Sequence, residues 1–256
     1  SCGVFPTPCK PLPRDYPHLR QGNSPRPPER GQARNKKETE LTVGLGMMRA
    51  SADLEGFRLY PGLLSRDEQE ALRDAVFARL RLAPLYIPRM PKSGQPMRVR
   101  MSNFGPLGWV TDKEQGYRYQ AQHPETGAAW PDIPPCVLAL WDALCAYPSP
   151  PEACLVNLYE GDARMGLHVD ADEEAWDAPV LSISLGDTAV FRIGGSVRSD
   201  PTRSVRLASG DVCILGGAAR RAYHGVDRVL PGTSRLLPKG GRINLTARRV
   251  ARPERA

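Results

Sequence analysis

The chain carries four histidines, His18, His123, His168 and His224. Two of them sit where metal chemistry is possible. His168 precedes Asp170 by two positions in Leu167-His168-Val169-Asp170, and in an extended segment residues two apart share one face. His224 lies far downstream, in Tyr223-His224-Gly225. Two imidazoles and one carboxylate make the facial triad of non-haem Fe(II) oxygenases, which leaves positions open for a co-substrate and O2. An H-x-D pair alone is also what any surface histidine beside an aspartate looks like, so the triad needs supporting residues.

Support comes from Arg242-Ile243-Asn244-Leu245-Thr246-Ala247-Arg248. In a strand, Arg242, Asn244, Thr246 and Arg248 share one face, and Ile243, Leu245 and Ala247 share the other. An outer strand with solvated arginines would have the same pattern. Asn157 and Tyr159, however, alternate with Val156 and Leu158 just before His168. Two polar-faced strands beside a metal triad predict a lined cavity. Arginine clamps a carboxylate through two parallel N–H groups. A dicarboxylate with one end on the metal and the other on an arginine fits such a cavity.

These residues need a scaffold, and the sequence predicts one. From Cys154 to Arg249 short segments alternate: Cys154 to Tyr159, Val180 to Leu185, Ala189 to Ile193, Ser204 to Leu207, Val212 to Leu215 and Arg242 to Arg248. Gly, Asp and Pro clusters separate them, which reads as an antiparallel sandwich or barrel of jelly-roll type. Two helices flank this region. Ser65 and Glu68 form a capping box ahead of Leu72, Val76 and Leu80 at helical spacing, and Pro84 stops that helix. A second helix follows Pro134-Pro135, carries Val137, Leu138, Trp141 and Leu144, and ends before Pro148. Residues 85 to 130 show little periodicity and read as a long loop, of the kind that is functional or disordered. Arg89, Lys92, Arg98 and Arg100 lie there with no acid among them, followed by Trp109, Tyr117, Tyr119 and Trp130. Cations beside flat rings suit single-stranded nucleic acid, which offers phosphates and base faces. A solvated loop anchored by aromatics would look similar.

Composition narrows the classes further. The chain has 256 residues, of which 41% are hydrophobic and 25% charged, so it is not disordered throughout. No run approaches the ~18 apolar residues of a membrane span, and the first residues hold no apolar stretch of secretory-signal type. The six cysteines, Cys2, Cys9, Cys136, Cys145, Cys154 and Cys213, include no C-x-x-C pair. They read as free thiols in a reducing cytoplasm. The net charge of +7 makes a polyanionic partner plausible without requiring one. Residues 1–46 hold eight prolines, eight basic and four acidic residues and few large apolar ones, so they read as a disordered basic tail.

Taken together, these motifs resemble the AlkB family of Fe(II)/2-oxoglutarate dioxygenases that repair alkylated nucleic acids. The resemblance covers residues 50 to 250. It rests on Leu155 to Tyr159, on His168-Val169-Asp170-Ala171-Asp172-Glu173, on Ser182 to Gly186, on Gly210-Asp211-Val212, on Tyr223-His224-Gly225, and on the R-x-N-x-T-x-R motif at Arg242 to Arg248. It implies a double-stranded β-helix (jelly roll), mostly β with flanking helices and an N-terminal nucleotide-recognition lid. The lid would span about 85–130 and the core about 150–250, within one domain at 47–256.

Residue by residue, the resemblance makes His168, Asp170 and His224 the iron ligands. It gives Arg242 the distal carboxylate of 2-oxoglutarate, with Asn157, Tyr159, Asn244 and Arg248 around that co-substrate. Trp109 would stack on a flipped base opposite His168, and Tyr117 would touch a phosphate. Asp172 would face the exocyclic amine of the base, and Arg198 would stand at the pocket edge. Between Trp109 and Tyr117 the chain is one residue longer than the family's bacterial founding member, which leaves lid details and sequence preference open. The implied activity is oxidative demethylation of N1-methyladenine and N3-methylcytosine type lesions in single-stranded DNA, and of RNA as a further substrate. It consumes O2, decarboxylates 2-oxoglutarate and releases formaldehyde. The alternative is a dioxygenase of the same fold acting on a protein or a small molecule. A cytoplasmic monomer that does not bind membranes is expected.

Overall fold

The computed structural model describes residues 56–253; the basic tail at 1–46 lies outside the described residues. Twelve strands and two α-helices are found among those described. In chain order the strands are β1 (Phe57–Tyr60), β2 (Arg100–Phe104), β3 (Gly108–Asp112), β4 (Gly116–Gln120), β5 (Ala153–Tyr159), β6 (Met165–His168), β7 (Val180–Gly186), β8 (Thr188–Ile193), β9 (Arg203–Leu207), β10 (Val212–Leu215), β11 (His224–Leu230) and β12 (Arg242–Arg248). The helices are α1 (Arg66–Leu80) and α2 (Pro135–Leu144). A six-stranded sheet runs β1-β10-β7-β12-β5-β2, a four-stranded sheet runs β6-β11-β8-β9, and β3 and β4 pair with each other. All pairings are antiparallel. This is the jelly roll that the alternating segments predict.

The large sheet has two different faces because its strands alternate. Leu181, Ile183 and Leu185 of β7, Cys154 and Val156 of β5, and Ile243, Leu245 and Ala247 of β12 pack against Leu72, Val76, Val137, Leu140, Trp141 and Leu144 of the helices. The capping box opens α1 as expected, with both Ser65 and Glu68 bonds made. The other face of the sheet looks toward the small sheet. There Val180, Cys213 and Leu215 meet Phe191, Ile193, Leu207 and Val226. Between these apolar ends the inward positions are polar and buried: Asn157, Ser182, Ser184, Arg242, Asn244, Thr246 and Arg248. Register sets Asn244 beside Asn157 on one side and Ser184 on the other.

The region from 85 to 130 departs from the expected loop. β2 joins the large sheet as the edge partner of β5, and β3 and β4 form a hairpin closed by Gln115 N–H donating to Asp112 Oδ1 at 2.7 Å. The alternation Tyr117-Arg118-Tyr119 after a turn glycine, Gly116 at φ +72°, is the local signal for this hairpin. The basic run is also less free than its sequence suggests. Arg98 pairs with Asp162, and Arg100 approaches Glu160 at 3.5 Å. Arg89 and Lys92 stay exposed and carry no ion pair among the described residues.

β6 and β11 pair antiparallel so that His168 and His224 are direct partners. Gly225 permits this approach, since a Cβ there would lie 2.6 Å from Met165 O. Gly225→Ala should therefore force the two strands apart and cost ~1–3 kcal/mol, as overpacking does. Gly166→Ala, on the facing strand with open space at its Cβ, should stay within about 0.5 kcal/mol. Urea denaturation of the two variants checks the contrast.

Candidate active site

The three expected iron ligands converge. The ligand atoms of His168, Asp170 and His224 all lie within 4.8 Å of one another. His168 Nε2 is 3.6 Å from Asp170 Oδ1, and His224 Nε2 is 3.7 Å from Asp170 Oδ2. Each imidazole is oriented from behind. Nδ1 of His168 lies 2.9 Å from Gly166 O, and Nδ1 of His224 lies 2.9 Å from Ala222 O. A carbonyl only accepts, so each Nδ1 carries the proton and each Nε2 presents its lone pair to the site. Burial drives the His224 pKa down to about 4 against the pull of Asp170, which keeps that ring neutral near pH 7. Burial alone would raise Asp170, but Arg248, His224 and His168 outweigh it and hold the carboxyl well below its usual range. The site thus offers two imidazole nitrogens and one carboxylate oxygen. The other body histidine, His123, is committed elsewhere: it is buried between Tyr86 and Trp130, with Nε2 on Pro84 O.

Arg242 is fully buried at 0% exposure. It donates to Ser184 Oγ at 3.0 Å, and its guanidinium carbon lies 5.4 Å from the Tyr159 ring centroid. Its Nε and Nη1 have no hydrogen-bond partner, and neither does Asn157 Oδ1. Burial lowers the Arg242 pKa with no carboxylate beside it. A buried guanidinium with two open donors is costly unless an anion completes it. The residues expected around 2-oxoglutarate therefore fit a carboxylate. Asn244 Nδ2 is used internally, on Ser182 Oγ and the Ile183 and Leu245 carbonyls.

Arg248 has a further task that its sequence position does not disclose. It donates to Asp170 Oδ1 at 2.8 Å and to Glu173 Oε1 at 2.9 Å. Arg220 donates to Glu173 Oε2 at 2.9 Å and to Asp170 O at 2.6 Å. Tyr119 of the hairpin donates to Glu173. Sequence reasoning missed Glu173, Arg220 and Tyr119 as site residues. Glu173 stands in the H-x-D-x-D-E stretch, but one more acid in an acidic loop carries no signal of burial.

The lid residues come to the same loop. Trp109 Nε1–H donates to Asp172 Oδ2 at 2.7 Å, and its ring stacks on Tyr117 at 5.6 Å between centroids. Tyr117 is 48% exposed. Asn103 holds the Trp109 backbone through two bonds of 3.0 Å. Arg198 is exposed and lies over the Tyr223 ring at 5.9 Å, one residue from His224. The fold thus brings together His168, Asp170 and His224, and sets Trp109 on Asp172 and Arg198 over the neighbour of His224. Trp109, expected to stack on a base, is also engaged with Asp172.

A model of the 2OG-Fe(II) oxygenase superfamily matches residues 56–248. The chain is 60% identical over 195 residues to an alpha-ketoglutarate-dependent dioxygenase AlkB homolog of Caulobacter vibrioides, covering 76% of this chain and 88% of that protein. The chain belongs to the AlkB family. AlkB of Escherichia coli is 39% identical over 165 residues, covering 63% of this chain and 76% of that protein. A solved structure of OsALKBH1 superposes with a TM-score of 0.63 at 30% identity, covering 76% of this chain and 96% of that one. As a member of this family the chain is an Fe(II)/2-oxoglutarate-dependent dioxygenase, and O2 is its second co-substrate.

His168→Ala, Asp170→Ala and His224→Ala should each abolish 2-oxoglutarate decarboxylation and bound iron, measured by succinate release and metal analysis. Full activity in any one variant would remove that residue from the ligand set. Arg242→Ala should raise the 2-oxoglutarate KM by the equivalent of ~3–5 kcal/mol, the cost of breaking a buried ion pair. An unchanged KM would place the distal carboxylate elsewhere.

Proposed function

We propose that this AlkB-family chain oxidatively demethylates alkylated bases in single-stranded DNA, with RNA as a further substrate. The observation that carries the reading is the Trp109–Asp172 pair at the mouth of the His168–Asp170–His224 site. It presents an aromatic face and a carboxylate together. A flat, cationic base suits both. Methylation at N1 of adenine or N3 of cytosine makes the base cationic and blocks its pairing, so extrusion from a strand costs less. Asp172 would favour the cation over the neutral base by charge and accept from its exocyclic amine. Relatives that match shorter stretches are named DNA N(6)-methyladenine demethylase in Arabidopsis thaliana and tRNA demethylase in Schizosaccharomyces pombe, which supports a nucleic-acid substrate.

His168, Asp170 and His224 would hold the iron, and Arg242 with Ser184 would hold the far carboxylate of 2-oxoglutarate. When bound, the pair supplies oxidation of a methyl C–H bond by O2, with 2-oxoglutarate decarboxylated to succinate. The chain's own contribution is placement. The lid hairpin holds the base face, and the cavity walls keep the co-substrate carboxylate out of water. The hydroxylated N-methyl group then leaves the base as formaldehyde.

We further propose a cytoplasmic monomer. Cys145, Cys154 and Cys213 are buried thiols, pushed up by burial to about 12, 12 and 11. Unreactive thiols suit a reducing compartment. No helix among the described residues is long and apolar enough to cross a membrane.

Trp109→Ala should weaken binding of a methylated single-stranded oligonucleotide by ~1–3 kcal/mol, the range for aromatic–base stacking. Binding should also fall with salt at a log–log slope of about −0.7 per phosphate contact. Anisotropy titrations at several salt concentrations test both. Preference for a methylated peptide over the oligonucleotide would sink the nucleic-acid reading.

A further inference from the structure

A second aromatic platform lies beyond the reaction pocket. A cavity of 890 Å³ reaches Asp170 and is lined by Trp176, Arg221, Tyr223 and Arg252, among others. Trp176 is 41% exposed, although it is among the largest apolar side chains of the protein. Arg221 lies over it, with the guanidinium carbon 3.3 Å from the ring centroid. Arg198 lies over the Tyr223 ring at a longer 5.9 Å. Two cation-on-ring pairs thus flank one opening. The buried acids of the wall, Asp170 and Glu173, are already matched by Arg248 and Arg220. Glu174 is exposed, and its carbonyl accepts from Arg252. Arg221 has no ion pair among the described residues.

The base-stacking lid does not account for this arrangement. Trp109 and Tyr117 stand on the β3–β4 hairpin, and Trp176 and Arg221 come from the loop before β7 and the turn Gly217–Arg221. Both pairs adjoin one loop: Asp172, the partner of Trp109, is four residues from Trp176. A strand that delivers one base between Trp109 and His168 has neighbouring nucleotides, and each brings a flat base and a phosphate. An arginine stacked on an indole offers a cationic plane for the base and N–H edges for the phosphate.

We infer that the Trp176–Arg221 stack binds a nucleotide next to the damaged one, its base on the stack and its phosphate at Arg221 and Arg252. This rests on the nucleic-acid reading above. It adds a stretch of strand, outside the reacting base, that the chain grips.

The test uses the full chain and two probes: a single-stranded pentanucleotide with a central N1-methyladenine, and the N1-methyladenine mononucleotide. Trp176→Ala and Arg221→Leu should each raise the pentanucleotide Kd about ten-fold, within the range for one lost base stack. The mononucleotide Kd should change less than two-fold. Trp176→Phe should restore most of the loss, and melting curves establish that the variants fold. Removing one flanking base from the pentanucleotide should cost the wild type a similar factor and abolish the effect of Trp176→Ala. If the wild type binds the pentanucleotide but neither variant is weakened, the platform is not used and the inference falls while the nucleic-acid reading stands. The inference also falls if the losses are equal on both probes. If the wild type binds neither probe, the nucleic-acid reading fails and the inference fails with it.

Discussion

A buried arginine between two carboxylates organises this enzyme. Arg248 holds the metal ligand Asp170 with one nitrogen and Glu173 with another. Removing a charge from water costs several kcal/mol, and only well-made partners offset it. Here two arginines, Arg248 and Arg220, meet two carboxylates with contacts near 2.9 Å. Asp170 is therefore ionised and fixed in direction before any metal arrives. The same cluster receives Tyr119 from the hairpin. The element that frames the mouth of the site is thus tied to the residues that orient its metal ligand.

Strand β12 makes the arrangement possible. Its apolar residues, Ile243, Leu245 and Ala247, belong to the core under the helices. Its polar residues form one wall of the inter-sheet cavity. A helix there could not separate the two sets so cleanly, because only a strand sends successive side chains to opposite faces. The wall is also graded along its length. At one end both Nη groups of Arg248 meet protein carboxylates and only its Nε lacks a partner, and at the other Arg242 meets no carboxylate and keeps two donors open. That contrast distinguishes an arginine that positions a ligand from one that awaits an anion.

The small sheet contributes the histidines by antiparallel pairing rather than by sequence proximity. His168 ends β6, His224 begins β11, and the two are register partners. Carbonyls two residues upstream, Gly166 and Ala222, aim both rings through the same bond. The repeated device follows from the extended backbone at each strand end. Neither histidine depends on a long side-chain network for its tautomer.

Much of this was legible in the residues alone. Alternation predicted β5, β7, β8, β9, β10 and β12 but not β1, β6 or β11, the Ser65–Glu68 box predicted α1, and H-x-D with a distant His and R-x-N-x-T-x-R marked the metal and co-substrate sites. These signals are local, or are short motifs whose chemistry needs those residue types. The strands β2, β3 and β4 were not legible as such, because their periodicity is short and interrupted by turns. The partners of Arg98 and Arg100, from Glu160 and Asp162, were hidden for another reason: they lie some sixty residues away in the chain. The burial of Glu173 and its bonds to Arg248, Arg220 and Tyr119 were decided by tertiary structure alone. Which of two identical arginines meets carboxylates and which meets none depends on what other elements bring to it. Sequence spacing fixes the face on which a side chain lies, but the cost of a buried charge is set by what the fold packs against it.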